Sequence, residues 1–216
     1  MQLTTGQAIV KSLLRQGVDT VFGMPGVQTY DLFDTFYDVR DKIRVVLVRH
    51  EQAAAYMAYG YARSTGKVGV FSVVPGPGVL NTMSALCTAQ GSNVPLVCLT
   101  SEIPTDFQGK GRRHLHEIRD QLGTLRSLIK WAEQCDAPEA APALVNEAFK
   151  QSQSGRPGPV SLQVPWNVLG ETGNVILLDP EVLTRPPAQA DEINAAADLI
   201  AGASAPMIYV GGGALH

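Results

Sequence analysis

The chain has 216 residues, of which 45% are hydrophobic and 17% are charged. This composition supplies enough apolar side chains for a packed core and excludes a disordered or low-complexity protein. The formal net charge is −3, so there is no surplus of basic side chains to neutralise the phosphates of a nucleic acid.

The sequence also carries no feature of an exported or membrane protein. It opens without the basic stretch and apolar run of a signal peptide, and no segment reaches the length of a membrane span. The three cysteines, Cys87, Cys98 and Cys135, are widely spaced and form no CxxC pair. We therefore expect a reducing, cytoplasmic compartment and no zinc site.

Residues 1–165 are predicted to form one α/β domain. The chain opens with a helix that we expect to be capped by Thr5 and to end at Gly17. Apolar runs then predict strands at residues 18–22, 43–48, 68–74, 95–101, 129–132 and 159–164. The helical segments between them are residues 29–39, 51–64, 79–90, 118–128 and 138–153. Continuous apolar strands that alternate with helices predict a doubly wound, mainly parallel sheet with helices on both faces.

The character of the sequence changes after Pro165. Residues 166–190 lack clear periodicity, and we interpret them as a linker. Residues 191–216 then predict a helix capped by Asp191 and a strand over residues 206–213 that ends in a glycine turn. One helix and one strand cannot bury their apolar faces alone. Either this piece docks on the first domain or, as we favour, it is the start of a truncated central α/β domain.

Polar and glycine-rich segments follow the first four predicted strands. In open α/β sheets, ligands bind beyond the carboxyl ends of the strands. The segments that we expect to converge there are residues 23–28, 49–52, 75–81 and 101–117.

Taken one at a time, these segments also have simpler explanations. Glycine and proline are the usual turn formers, so the sequences GMPG and PGPG are consistent with tight turns alone. Glu51 lies at a helix start, where the macrodipole favours a carboxylate in any protein. The basic stretch 110–119 is consistent with a solvated loop, and His114 and His116 lack a third ligand for a metal.

Five motifs in order resemble the pyrimidine-binding domain of the acetolactate-synthase-like family of thiamine-diphosphate enzymes. They are GVDTVFGMPG at residues 17–26, RHEQAA at 49–54 continuing as MAYGYARSTG at 57–66, GPG at 76–78 with Asn81, Phe107 with Gln108, and RPGPV at 156–160 with Pro165. Each motif is weak alone, whereas the ordered set is specific.

The resemblance implies a role for each motif residue. Glu51 would face N1′ of the thiamine pyrimidine ring and act as the key catalytic acid, and Gln108 would reach the active site from the long loop. The residues that would surround the cofactor are Pro25, Gly26, Gly76, Pro77, Gly78 and Asn81. Val27 and Gln28 would line the substrate pocket. The implied substrate is a 2-oxo acid such as pyruvate, which is decarboxylated and joined to a second carbonyl, as in branched-chain amino acid biosynthesis.

The resemblance also implies components that this sequence does not contain. In the family, a separate C-terminal domain with a GDG motif holds the diphosphate and Mg²⁺, so we expect no metal ligand here and no activity from this piece alone. Some relatives carry FAD in the central domain. The family active site forms between subunits, which implies a homodimer or homotetramer.

Departures from the family pattern leave the reaction open. Pro75 stands where the family often has Ser or Thr, and Gly109 stands where acetolactate synthases have an acid. A 2-oxo-acid decarboxylase or lyase is therefore an alternative to the synthase. A non-catalytic α/β binding module is the alternative from another class.

Overall fold

The computed structural model of the chain describes residues 1–184 and 187–214, which cluster into two units. The first unit is Met1–Glu181 and the second begins at Val182.

Six parallel strands in the described residues form the central sheet of the first unit. Their bounds are β2 Thr20–Gly23, β3 Arg44–Leu47, β4 Gly69–Val73, β5 Leu96–Glu102, β6 Trp131–Gln134 and β7 Pro159–Pro165. Their order across the sheet is β3-β2-β4-β5-β7-β6, and every hydrogen-bonded pair is parallel. The predicted doubly wound α/β fold is confirmed.

Helices cover both faces of this sheet. Their bounds are α1 Thr5–Arg15, α2 Tyr30–Asp38, α3 Glu51–Thr65, α4 Pro77–Gly91, α5 Gln121–Leu128 and α6 Ala141–Gln153. Two apolar clusters fill the space between the helices and the sheet: one contains buried residues of α1, α2 and α6, and the other contains those of α3, α4 and α5. Adjacent residues of one strand join opposite clusters, as Val70 and Phe71 do, because successive side chains of a strand point to opposite faces. No helix in the described ranges is long and apolar enough to cross a membrane.

The predicted linker begins too early. Residues Trp166–Leu169 form a short helix, α7, and Thr172–Asn174 form a strand, β8, which pairs antiparallel with β1, Gln2–Thr4. The first unit therefore extends to Glu181 rather than ending at Pro165. The paired residues are far apart in the sequence, as Gln2 and Asn174 are. A strand of three residues is too short to show a periodic pattern of apolar side chains.

The first helix is capped one residue earlier than predicted. Thr4 rather than Thr5 is the N-cap: its side-chain oxygen accepts a hydrogen bond from the Gln7 amide at 3.1 Å, and the Gln7 side chain accepts one from the Thr4 amide at 3.0 Å. This reciprocal pair satisfies two amides that the first turn of a helix leaves free. The adjacent threonines offer the same side chain, so composition alone does not distinguish them.

The second unit departs from two sequence predictions. Its helix, α8, is Ala190–Gly202 with Gln189 at the N-cap, so Asp191 lies inside the first turn instead of capping it. The strand predicted over residues 206–213 is not formed in the described backbone, which has only a short 3-10 turn at Gly212–Ala214. A strand needs a hydrogen-bonded neighbour, and this unit has no second strand among its described residues to provide one.

A polar cluster ties the end of α3 to the start of β2. The carboxylate of Asp19 accepts hydrogen bonds from the Tyr61 hydroxyl at 2.7 Å and from the Lys67 ammonium. These contacts, led by that of Lys67, lower the pKa of Asp19 to about 2. The helix that begins at Glu51 is thereby fixed at its far end to the central sheet.

Asp19→Asn is expected to lower the free energy of unfolding at pH 7 by about 0.5–1 kcal/mol, because the carboxylate is half exposed and solvent screens the ion pair. A lowered folded-state pKa stabilises the protein above the unfolded-state value of about 4, and this contribution disappears as the pH falls towards 2. The difference between parent and variant, measured by urea denaturation, should therefore shrink between pH 4 and pH 2. A constant difference would contradict the assigned interaction.

Candidate active site

Glu51 lies buried at the first position of α3, where the chain turns back from β3. The N-cap is His50, whose Nδ1 accepts a hydrogen bond from the Gln52 amide at 3.1 Å. Glu51 is 8% exposed although it is ionisable. The positive end of the helix dipole favours the negative charge of a carboxylate at this position.

The Glu51 carboxylate has a neutral partner. Asn81 on α4 donates a hydrogen bond from Nδ2 to Oε2 of Glu51 at 2.9 Å. Within the described ranges, no lysine or arginine forms an ion pair with this carboxylate. Buried carboxylates are usually paired with a cation. Because Asn81 bonds only Oε2, Oε1 of Glu51 is available to a ligand.

Two glycine turns pack against Val74 beside this carboxylate. A Cβ added to Gly26 would lie 2.7 Å from Cγ1 of Val74, and one added to Gly78 would lie 2.6 Å from Cγ2. The Cβ position at Gly78 is also 3.8 Å from Cγ of Glu51. The turns that follow β2 and β4 therefore meet at the carboxyl edge of the sheet. Because Gly26 and Gly78 have no side chain, the backbone of each turn can approach Val74.

Gly76 has the strictest requirement for glycine. Its φ is +60°, and a Cβ would overlap the carbonyl oxygen of His116. Its amide donates a hydrogen bond to Oε1 of Gln121 at 2.6 Å. The turn at residues 75–78 is thus held by the long loop on one side and by the start of α5 on the other.

Gln28 and His116 form part of the same cluster, and both are in the left-handed backbone region. Gln28 has φ +76° and is fully buried, and its Nε2 donates to the Leu115 carbonyl at 3.0 Å. His116 has φ +70°. Oε1 of Gln28 and Nδ1 of His116 are buried and have no hydrogen-bond partner among the described residues. Strained backbone and unpaired buried polar atoms together are typical of functional sites.

His116 was missed as a site residue by sequence reasoning. The signal that the sequence offers for His116 is its position in the long loop after β5. Burial lowers the pKa of His116, and His114 nearby lowers it further. A neutral imidazole is therefore favoured at this position near pH 7.

The side-chain amide of Gln108 bonds to groups other than Glu51. Its Nε2 donates to the Ile103 carbonyl at 2.9 Å, and its Oε1 accepts from Gln134 at 3.4 Å. Val27 is half-buried and Pro25 is exposed on the first turn. Roles for Gln108, Val27 and Pro25 stay predictions, whereas Gly26, Gly78 and Asn81 are brought together with Glu51.

Comparisons with known proteins identify the family of the chain. Residues 3–124 match the family described as thiamine pyrophosphate enzyme, N-terminal TPP binding domain. The chain belongs to this family. The matched residues include Glu51, both glycine turns, His116 and Gln121.

The relatives extend over nearly all of this chain. The chain is 39% identical to the probable 2-ketoarginine decarboxylase AruI of Pseudomonas aeruginosa and 38% identical to the mitochondrial acetolactate synthase catalytic subunit of Saccharomyces cerevisiae, over 99% of its length in each case. It is 35% identical to the acetolactate synthase isozyme 3 large subunit of Escherichia coli. The chain spans 38%, 32% and 38% of these proteins, respectively.

The residues present fit the pyrimidine end of thiamine diphosphate. Among the described residues, Glu51 offers a buried carboxylate oxygen without a cationic partner, and the glycine turns after β2 and β4 pack on Val74 beside it. In the part of the chain that the structure describes, no group of three or more His, Cys, Asp or Glu side chains could hold a metal ion.

Gly76→Ala is expected to destabilise the protein by about 1–3 kcal/mol, because the new methyl group meets the His116 carbonyl and the backbone is in a region that alanine avoids. Urea denaturation measures this loss. Gly91→Ala is the matched control, since a Cβ at Gly91 meets no atom within 4 Å. Equal stability of the two variants would contradict the described packing of the turn.

Proposed function

We propose that this chain binds the aminopyrimidine ring of thiamine diphosphate and belongs to an enzyme that decarboxylates a 2-oxo acid. The observation that carries the proposal is the buried Glu51 carboxylate beside two close-packed glycine turns. Within the described part of the chain it has an amide donor and no cationic partner. Membership of the family supports the cofactor.

Glu51 would exchange a proton with the ring through Oε1. Asn81 occupies Oε2 and donates from a neutral amide, so it orients the carboxylate without neutralising it. A carboxylate positioned in this way acts as a general acid or base for the atom that it faces. Bound thiamine diphosphate supplies the carbon nucleophile and the electron sink that decarboxylation of a 2-oxo acid requires.

Gln28 and His116, in the cluster beside the turn at residues 75–78, would contact the substrate. Oε1 of Gln28 is a hydrogen-bond acceptor, whereas Nδ1 of His116 accepts or donates according to the tautomer of the ring; both are buried without a partner among the described atoms. With Val27 and Gln108, they are our proposed substrate-facing groups. Mg²⁺ and, in some relatives, FAD are proposed on the family resemblance and not on ligands in this chain.

The preferred reaction is carboligation of the acetolactate synthase type, with simple decarboxylation as the second candidate. Two of the relatives named above are acetolactate synthases, which favours ligation to a second carbonyl. The second candidate is favoured by the relative described as a probable 2-ketoarginine decarboxylase, which is 39% identical.

Glu51→Gln in the full-length gene product is expected to lower carbon dioxide release from its best 2-oxo acid by about 10²–10⁴-fold, because the amide cannot exchange the proton. The assay contains thiamine diphosphate and Mg²⁺ and compares pyruvate with other 2-oxo acids. Asp34→Asn, at an exposed acid on α2, is the control and should retain parental turnover.

A Glu51→Gln variant as active as the parent would reject the role of Glu51. Absence of cofactor-dependent turnover in the parent on every 2-oxo acid would favour the non-catalytic binding module. Analysis of the products would distinguish a ligated product from an aldehyde and so decide between synthase and decarboxylase.

We also propose self-association through one face of α3 and α4. Helix α4 contains no charged residue. The exposed face formed with α3, here called the α3–α4 face, consists of Ala53, Tyr56, Met57, Gly60, Leu80, Ser84 and Cys87. The exposed fractions of Tyr56, Met57 and Leu80 are 40%, 40% and 45%. An uncharged face with exposed large apolar side chains is typical of a protein interface, and a second copy would supply a matching uncharged surface.

Leu80→Arg is expected to dissociate the resulting dimer or tetramer, because it places a charge at an apolar contact. Light scattering after size-exclusion chromatography measures the mass. Tyr37→Arg is the matched control, since Tyr37 is 65% exposed on α2 and lies outside the α3–α4 face. A Leu80→Arg protein with the parental mass, or a monomeric parent, would reject the proposed interface.

A further inference from the structure

Four glutamines form a continuous chain of hydrogen bonds at the carboxyl edge of the sheet. Gln121 Nε2 donates to Gln163 Oε1 at 3.0 Å, and Gln163 Nε2 donates to Gln134 Oε1 at 2.7 Å. Gln134 Nε2 then approaches Gln108 Oε1 at 3.4 Å. At the other end, Oε1 of Gln121 accepts from the amide of Gly76 at 2.6 Å. All of the amides point in one direction from the glycine turn to the long loop.

The Gln121 amide has no freedom to flip. Gln121 and Gln163 are each 2% exposed. Nε2 of Gln121 donates to the Ser101 carbonyl at 2.9 Å as well as to Gln163. A flipped amide would place its NH₂ group against the Gly76 N–H and its oxygen against two acceptors. Because buried polar groups without partners are costly, a single orientation is retained.

The turn at residues 75–78 depends on this contact. Gly76 is in the left-handed region, and the hydrogen bond from the Gly78 amide to the Pro75 carbonyl is long, at 3.4 Å. The Gly76 amide is buried and would have no partner if the side-chain oxygen of Gln121 were removed. Gly78, two residues further on, is the glycine that packs near Glu51.

We propose that Gln121 is a positioning residue that holds the turn at residues 75–78 in place beside Glu51. Through Gln163 and Gln134, the position of this turn is coupled to Gln108 on the loop after β5. The proposal rests on the proposed function for its effect on the cofactor. The claim that Gln121 holds the turn concerns only the hydrogen bond from the Gly76 amide and does not depend on the cofactor.

The flanking prolines make the test specific. Gly76 lies between Pro75 and Pro77, which have no amide hydrogen, so its exchange with deuterium is separable from that of its neighbours. The full-length gene product is compared with Gln121→Met, Gln121→Glu and Gln163→Met by hydrogen exchange. The dissociation constant for thiamine diphosphate with Mg²⁺ is measured by calorimetry on the same proteins.

Gln121→Met is expected to speed exchange at Gly76 by at least about tenfold and to weaken thiamine diphosphate binding by about tenfold. Gln121→Glu retains the acceptor for Gly76 but turns a second oxygen towards the Ser101 carbonyl and Gln163 Oε1, so it should restore only part of the protection. Ser127→Met, at an exposed position of the same helix, controls for general destabilisation of α5 and should change neither quantity.

A Gln121→Met protein with a lower melting temperature but unchanged exchange at Gly76 and unchanged cofactor affinity would overturn the proposal. If that variant does not fold, Gln163→Met decides: faster exchange at Gly76 supports the proposal and unchanged exchange overturns it. The exchange measurement needs no cofactor, so a parent that fails to bind thiamine diphosphate would reject the proposed function separately.

Discussion

The site depends on one constraint: the Glu51 carboxylate is buried with no cationic partner among the residues that the structure describes. A charge taken from water needs compensation, and here the helix dipole and the Asn81 amide supply part of it. An arginine or lysine would stabilise the carboxylate more, but it would also occupy Oε1. The neutral partner leaves one oxygen for a ligand, which is the arrangement that proton exchange with a heterocyclic nitrogen requires.

The surrounding backbone is shaped to bring other groups to this oxygen. The parallel sheet directs the turns after β2 and β4 to one edge, where Gly26 and Gly78 both pack against Val74. The long loop closes over them through the contacts of Leu115 and His116. Gly76 packs against the backbone of His116, and the buried Gln121 side chain supplies the hydrogen-bond acceptor for its amide.

The structural features that depend on local sequence were predicted. Glu51 at a helix start, the glycines after β4 and the alternation of strands and helices follow from turn chemistry and periodicity. The contacts that were missed join distant positions: Gln121 meets Gly76 across 45 residues and Gln163 across 42. A single glutamine in a sequence carries no sign of such partners. The same reason explains β8, whose three residues acquire their structure only from β1.

The most direct test of the central claim is the rate at which the C2 hydrogen of bound thiamine diphosphate exchanges with deuterium, measured in the parent and in Glu51→Gln at saturating cofactor. If Glu51 exchanges a proton with the pyrimidine ring, the variant should bind the cofactor but exchange C2 hydrogen at least about 10²-fold more slowly. Equal exchange rates in the two proteins would show that Glu51 serves only to build the site, and would contradict its assignment as the catalytic acid.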